Sequence, residues 1–499
     1  MNRYRLIIVL LISVSLLLLL EMSRTLVGGV RRIAQPTTMP PLITATPGAA
    51  IPPSPTGVSV AVRSVANLHQ SVSSVPVPLA SQVDQAGVTP DLLLFTQNLV
   101  EDTTRLVYLA GGDGTVRWES PALEMLSMHP QVIPSYALIY LLDETRLLAL
   151  DRVSGRIVWE AALADTLPPD CPDCLQLVDD YLVALTRDGT LQRIAAVNGL
   201  DAWMQRSAGT PRQLRVIGDR IAILRYQPDD PAGSVLELFD AADGTLVQRS
   251  EPACAGLEAR SADAADLPFA TLLVAPDDRA FYLLADGAGK GFTRCVQRVD
   301  ATTGAPVWSS LLEDLLPAAF PQRQTLLTDV ALYVSVPGGL TALDLQDGRP
   351  RRLIRGQEYG IRPLAARDGH LLIEAVALDD RQSVELWGLD AALGERRWRY
   401  PLQATRRRDG ALGPGDWTGH LVPGGFAVAQ QLPDRLQLET LTLADGTRRS
   451  VMSFAPRDGV ALCRGLAWEA DMAWLTFQRL YAVDLRGDRV VYTWPKTDE

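Results

Sequence analysis

"LALDRVSGRIVWEA", residues 148–161, begins apolar, turns on Ser154 and Gly155, and ends with a tryptophan before a charge. "QRVDATTGAPVWSS", residues 297–310, repeats it with Asp, Gly and Trp in the same relative places. Self-similarity at a fixed period decides a fold before any single motif does. The pattern, Asp-x-x-x-Gly-x-x-x-Trp, is complete in Asp151-Gly155-Trp159, Asp300-Gly304-Trp308 and Asp390-Gly394-Trp398. Gly199 with Trp203 has lost the Asp, while Asp240-Gly244 and Asp344-Gly348 carry Gln248 and Arg352 where Trp is expected. Gly446 keeps only the turn, and Gly487 follows Asp484 in a turn one residue shorter. Most of these eight turn glycines lie about 41 to 46 residues apart, with longer steps before Gly304 and Gly446, which is the repeat length of four-stranded propeller blades.

Each part of the pattern has a physical role. The Asp closes an apolar strand and accepts hydrogen bonds from backbone N–H groups of the turn. The Gly supplies a positive φ there. The Trp, at an even offset from the Gly, is expected on the strand face shared with offsets two and four. Upstream of the turns lie short runs such as "YLVALTRDGTLQRI" and "ALYVSVPGGLTALDL", rich in Val, Leu, Ile and Tyr and bounded by Gly or Asp-Gly, as strands and hairpins are. A unit of four short strands cannot cover both of its faces alone, but units stacked around an axis cover one another. The sequence therefore predicts an all-β, eight-bladed β-propeller of four-stranded antiparallel blades over residues 89–499. The hairpin "RLVYLAGGDGTVRWES", residues 105–120, either supplies the closing strand or forms a degenerate extra blade, so seven and nine blades stay open.

These repeats resemble the tryptophan-docking repeats of pyrroloquinoline-quinone-type propellers, over roughly residue 89 to the C-terminus. The resemblance implies that Trp159, Trp203, Trp308 and Trp398 are buried between blades. In that family the quinone dehydrogenases hold pyrroloquinoline quinone and calcium in the central channel, commonly beside a disulfide between adjacent cysteines. This chain has no adjacent Cys-Cys, and none of the family's ligand or catalytic residues can be placed on its positions. Non-enzymatic relatives include the outer-membrane assembly lipoprotein type, which binds a partner protein through loops on one face, although the lipid-anchoring cysteine is missing here.

The net charge of −11 argues against general nucleic-acid binding, which needs a basic surface. A basic stretch is nonetheless present: Arg349, Arg351, Arg352 and Arg355, then Arg396, Arg397, Arg399 and Arg406 to Arg408. It reads either as a site for an anionic partner or membrane headgroups, or as solvated strand edges that deter edge-to-edge pairing. At the N-terminus, "MNRYR" precedes the apolar run of residues 6–20, about 22 Å long as a helix. No small-residue cleavage site follows, so residues 1–33 read as an uncleaved signal-anchor, with a cleaved signal as the alternative. Residues 34–57, rich in Pro, Thr and Ala, read as an extended linker. Residues 58–88 are a continued stalk or a first strand laid along the ring.

Cys171 and Cys174 are the only tight cysteine pair, and a structural disulfide is the expectation for an oxidising compartment. Cys254 and Cys295 flank the longest step between turns and suggest a second bridge, leaving Cys463 over. Paired aspartates at Asp179-Asp180, Asp229-Asp230, Asp277-Asp278 and Asp379-Asp380 read as turn residues, because a calcium loop needs oxygens at alternating positions. No catalytic, cofactor or metal residue is assigned. The expected protein is a single-pass cell-membrane protein with an extracytoplasmic propeller. It would bind a protein or surface polymer without catalysis and without nucleic acid. The alternative is a pyrroloquinoline-quinone-dependent dehydrogenase, or a degenerate quinone-binding sensor.

Overall fold

The computed structural model describes residues 58–494 except 63–69, 73–76, 80–89, 99–102, 124–129, 170, 172, 208, 227–233, 252–253, 255–269, 287–291, 315–324, 338, 357, 379–382, 410, 457–461 and 478. The anchor and linker expected in residues 1–57 lie outside the described residues. Among the described residues no helix is long and apolar enough to cross a membrane.

Every regular element described is a strand, and the strands form nine sheets. Blades 2 to 9 cover residues 131–162, 175–206, 210–250, 270–314, 325–355, 359–402, 416–456 and 465–494, each built on four antiparallel strands taken in sequence order. Blade 1 explains the ninth. Its last three strands are Asp91–Asn98, Thr103–Leu109 and Val116–Glu119. Its first is split into β2 (Gln70–Val72) and β3 (Val77–Leu79), both antiparallel to Asp91–Asn98, with Gln70 opposite Asn98 and Leu79 opposite Asp91. The eight-bladed expectation is thus corrected to nine, and the hairpin of residues 105–120 belongs to a blade of its own. Residues 58–88 also supply β1 (Val58–Val62), which pairs in parallel with the outer strand of blade 8, Arg448–Pro456.

Strand alternation then makes the core. In Asp91–Asn98, Leu92 and Leu94 pack with Trp474, Ala482 and Tyr492 of blade 9. Leu93 and Phe95, pointing the other way, pack with Ile139, Leu141 and Leu148 of blade 2. Seven further buried clusters fill the seams from blades 2/3 round to 8/9. There is one apolar cluster for each pair of neighbours, including the pair that joins the last blade to the first. The ring is closed, and residues Pro55–Glu499 form one compact unit.

One local expectation fails. In every blade the pairing of the third and outer strands shifts register just before the docking position, as between Ile157 and Trp159. Such a bulge breaks the two-residue alternation. Ile157 is therefore exposed although it lies two residues before the buried Trp159.

Candidate functional site

The repeated turn is a docking device. The Asp151 carboxylate accepts from the Ser154 N–H at 2.7 Å and its hydroxyl at 2.6 Å, and the Gly155 N–H donates to the Asp151 carbonyl at 2.8 Å. These bonds to the ionised form hold the Asp151 carboxyl below its usual range. Gly155 has φ of 68°, and a Cβ there would stand 2.5 Å from the Trp118 ring of the preceding blade. Only glycine permits that approach. The Trp118 indole N–H donates to the Arg152 carbonyl at 2.9 Å. The same bond recurs from Trp159 to Ala196 at 3.0 Å, Trp203 to Ala241 at 3.1 Å, Trp308 to Leu345 at 3.2 Å and Trp398 to Leu443 at 2.8 Å. Of these rings Trp118 and Trp159 are buried, and Trp203, Trp308 and Trp398 are half-buried over Gly244, Gly348 and Gly446.

Three members of the series escape a reading by residue type. Gly114 and Trp118 stand four apart like the rest, but Ala110 replaces the Asp. The Gly114 N–H still donates to the Ala110 carbonyl, at 2.9 Å. At the far end the turn is full-length rather than shortened: Asp488, with φ of 50°, takes the glycine position in place of Gly487. Four residues on, Tyr492 presses its ring against Gly114 and closes the ring of blades. Gln248 lies over Gly304 at seam 4/5, and the Leu353 backbone meets Gly394 at seam 6/7. The disulfide Cys254–Cys295 ties the chain after blade 4 to the third strand of blade 5, the seam where Gln248 has replaced the tryptophan. Cys171 and Cys174 are bonded in the connection between blades 2 and 3, and Cys463 is a buried thiol. Asp179 and Asp278 take positive φ in hairpin turns; the pairs at 229–230 and 379–380 lie outside the described residues.

Two surfaces have the chemistry to meet a partner. The first is a groove of about 700 Å³ on the face of the docking turns, between blades 1 and 2. The Tyr108 hydroxyl donates to Asp91 at 2.7 Å, and the Gly111 N–H donates to the other Asp91 oxygen at 2.9 Å. Arg117 approaches that carboxylate at 3.3 Å. Arg152 donates to the Tyr108 hydroxyl at 3.3 Å and to the Ser135 carbonyl at 2.9 Å. Burial, then the bond to Asp91, pushes the Tyr108 phenol above its ordinary value, so it stays a neutral donor. Tyr136 and Val153, 71% and 85% exposed, stand at its edge. The groove offers fixed hydrogen-bonding groups beside apolar side chains, a lining suited to a peptide. Nothing in the sequence singled these residues out; the topology brings them together.

The second surface is the outer rim, which has two arcs. On the outer strands of blades 1 to 5 large apolar side chains stand exposed to solvent among charged and polar ones such as Arg117, Glu160 and Arg206: Val116, Ile157 and Val158, Met204, Leu246 and Val247, and Val307. On the outer strands of blades 6 to 9 none of the large exposed hydrophobics occurs among the described residues. Arginines stand there instead: Arg351, Arg352 and Arg355 in Pro350–Arg355, Arg396, Arg397 and Arg399 in Arg396–Leu402, Arg448 and Arg449 in blade 8, and Arg489 in Arg489–Trp494. Those four strands contain no Asp or Glu. Of the basic stretch seen in the sequence, Arg351, Arg352, Arg355, Arg396, Arg397 and Arg399 stand on the outer strands of two neighbouring blades, whereas Arg349 lies in a turn and Arg406 and Arg408 pair with Asp416 at 3.0 and 3.6 Å in the connection to blade 8. Arg397 pairs with Asp390 at 2.8 Å and Arg399 with Glu385 at 3.9 Å, while the Arg396 guanidinium lies 4.7 Å from the Trp387 ring centre. Among the described residues no three of His, Cys, Asp and Glu gather as a metal site.

Residues 102–250 and 293–450 match a family model described as outer membrane protein assembly factor BamB. No curated protein matches the sequence. Among solved structures, BamB from Moraxella catarrhalis is 16% identical, with 72% of this chain and 94% of that chain covered and a TM-score of 0.42. Quinohemoprotein alcohol dehydrogenase from Comamonas testosteroni is 11% identical over 70% of each chain, with a TM-score of 0.42. The enzyme ADHIIG of the same name from Pseudomonas putida HK5 is 12% identical over 70% and 69%, with a TM-score of 0.43.

Proposed function

The chain belongs to the family described as outer membrane protein assembly factor BamB, and from that premise we propose that it is a membrane-tethered binding platform without catalysis of its own. Its propeller stands outside the cytoplasm on the apolar N-terminal run and the Pro-rich linker, and it binds a protein or a surface polymer.

The observation that carries this reading is the apolar arc of blades 1 to 5, with the groove of Asp91, Tyr108 and Arg152 on the turn face of the same arc. Contiguous apolar surface rimmed by polar groups is costly to leave in water and is the usual signature of an interaction site. Several loops of the opposite face, such as residues 227–233, 255–269 and 315–324, lie outside the described residues. The repeat residues themselves are engaged in seams and turns, so the platform is built from what the repeat leaves free.

A photo-crosslinking residue placed at Val158, at Val307 or at Tyr136 in the full chain tests the proposal. The expected result is one discrete protein or polymer adduct shared by the three positions and absent with the probe at Val330, an exposed position off this arc. The opposing result comes from adding pyrroloquinoline quinone and calcium. A rise in melting temperature by mass action, about 2.7 kcal/mol at a hundredfold excess over Kd, with dye-linked oxidation of alcohols or sugars, would replace the platform with a dehydrogenase.

A further inference from the structure

We infer that the arginine arc of blades 6 to 9 is a docking surface for anionic lipid headgroups, holding the propeller on its rim against the membrane. The inference rests on the tethered reading above and adds which part of the ring meets the bilayer.

The charge distribution comes first. The chain as a whole carries −11. Against that background the outer strands of blades 6 to 9 carry nine arginines and no carboxylate. Those of blades 1 to 5 carry Arg117, Arg206 and Arg249 against Glu119, Glu160, Asp201, Glu313 and Asp314. Edge protection alone would favour charges on every blade whose outer strand presents an edge, yet the outer strand of blade 8, which β1 covers, carries Arg448 and Arg449. The arginines gather on one arc instead.

Strand β1 comes second. It joins the outer strand of blade 8, inside the basic arc, with Val58 opposite Met452 and Val62 opposite Pro456. The chain before β1 is the Pro-rich linker, and before that the apolar run. The tether therefore enters the ring at the rim, on the side where the arginines are.

The nature of the surface chooses between occupants. A protein interface needs an apolar or aromatic centre that is fully desolvated on binding. Among the described side chains of the outer strands of blades 6 to 9 no large hydrophobic is exposed to form such a centre. A plane of anionic headgroups asks only for cationic side chains spread over a broad front, each contributing its own attraction. Arginine adds forked donors suited to phosphate.

The full chain in proteoliposomes provides the test, with energy transfer from its tryptophans to a dansyl headgroup label as the readout. Trp398 lies on the outer strand of blade 7, within the arc. Vesicles of phosphatidylcholine alone are compared with vesicles that also contain phosphatidylglycerol. Transfer should rise at least about twofold with the anionic lipid and fall back at high salt, as screening requires. The triple variant Arg351→Glu, Arg355→Glu, Arg449→Glu should lose the rise. The charge-matched variant Arg187→Glu, Arg206→Glu, Arg279→Glu should keep it. Should the arc variant fold poorly, the salt series on the native chain decides alone. A chain that fails to co-float with neutral vesicles would sink the tethered reading. A chain that co-floats but shows transfer indifferent to anionic lipid and to salt would overturn the arc. Unchanged transfer with retention on immobilised polyglutamate, lost in the arc variant, would assign the surface to an acidic protein and equally overturn it.

Discussion

Blades 2 and 7 are built by one rule and present different surfaces. Both close the turn with Asp and Gly, and both plug the next seam with a tryptophan whose indole bonds a carbonyl, Trp159 to Ala196 and Trp398 to Leu443. Outside that device they diverge. Blade 2 exposes Ile157 and Val158, and blade 7 exposes Arg396, Arg397 and Arg399. The bulge before each tryptophan turns the residues ahead of it outward, so their identity is free of the seam. The repeat fixes the ring, and the positions that it frees carry the recognition chemistry.

The largest effects should be blind to the difference between arcs. Trp159→Ala and Trp398→Ala each remove a ring from between blades and should cost ~3–5 kcal/mol in urea unfolding. A loss below about 1 kcal/mol at either site would mean that this tryptophan is not docked. Seam 4/5 sharpens the point, because there Gln248 lacks the tryptophan's area and Cys254–Cys295 ties the chain leaving blade 4 to blade 5. Breaking that bridge by Cys254→Ser should cost about 3–4 kcal/mol, the scale for a loop of this length. An unchanged melting temperature under non-reducing conditions would show that the bridge contributes no stability.

Acid should weaken both arcs alike. The Ser154 hydroxyl and N–H hold Asp151 below its ordinary value of 3.8. The Arg397 side chain, then turn N–H groups, hold Asp390 below it too. A depressed carboxylate stabilises the fold above its unfolded value, and the contribution is lost as pH falls through the folded one. Stability should therefore fall below about pH 4. Asp151→Asn should flatten that fall, and an unaltered profile would contradict the assignment. The smallest effect belongs to the exposed apolar positions. Val158→Ser and Val307→Ser should move stability by no more than about 0.5 kcal/mol. Loss of partner adducts in these variants would mark function separated from fold; intact adducts would remove the apolar arc from the site.

The fold class was legible because Asp, Gly and Trp recur together in three copies. The blade count was not, because the relevant turns keep the geometry and change the residues. Ala110 stands for Asp, Asp488 for Gly and Tyr492 for Trp, and each substitute meets the same backbone need. The inner strand of blade 1 is broken between β2 and β3 and has no turn signature beside it. The arginines were visible as a run, yet their gathering on one arc required knowing which residues lie on outer strands. The groove of Asp91, Tyr108 and Arg152 joins residues of two blades and had no sequence signal.

Both arcs belong to one ring only if blade 1 has its own inner strand and closes on blade 9. Amide hydrogen exchange at residues 70–72, 77 and 79 measures this directly. A strand paired inside a closed sheet exchanges only on opening, so these amides should be protected to the level of Gln131–Pro134, the inner strand of blade 2. Exchange at the rate of an unfolded tail would contradict the account and return the ring to eight blades.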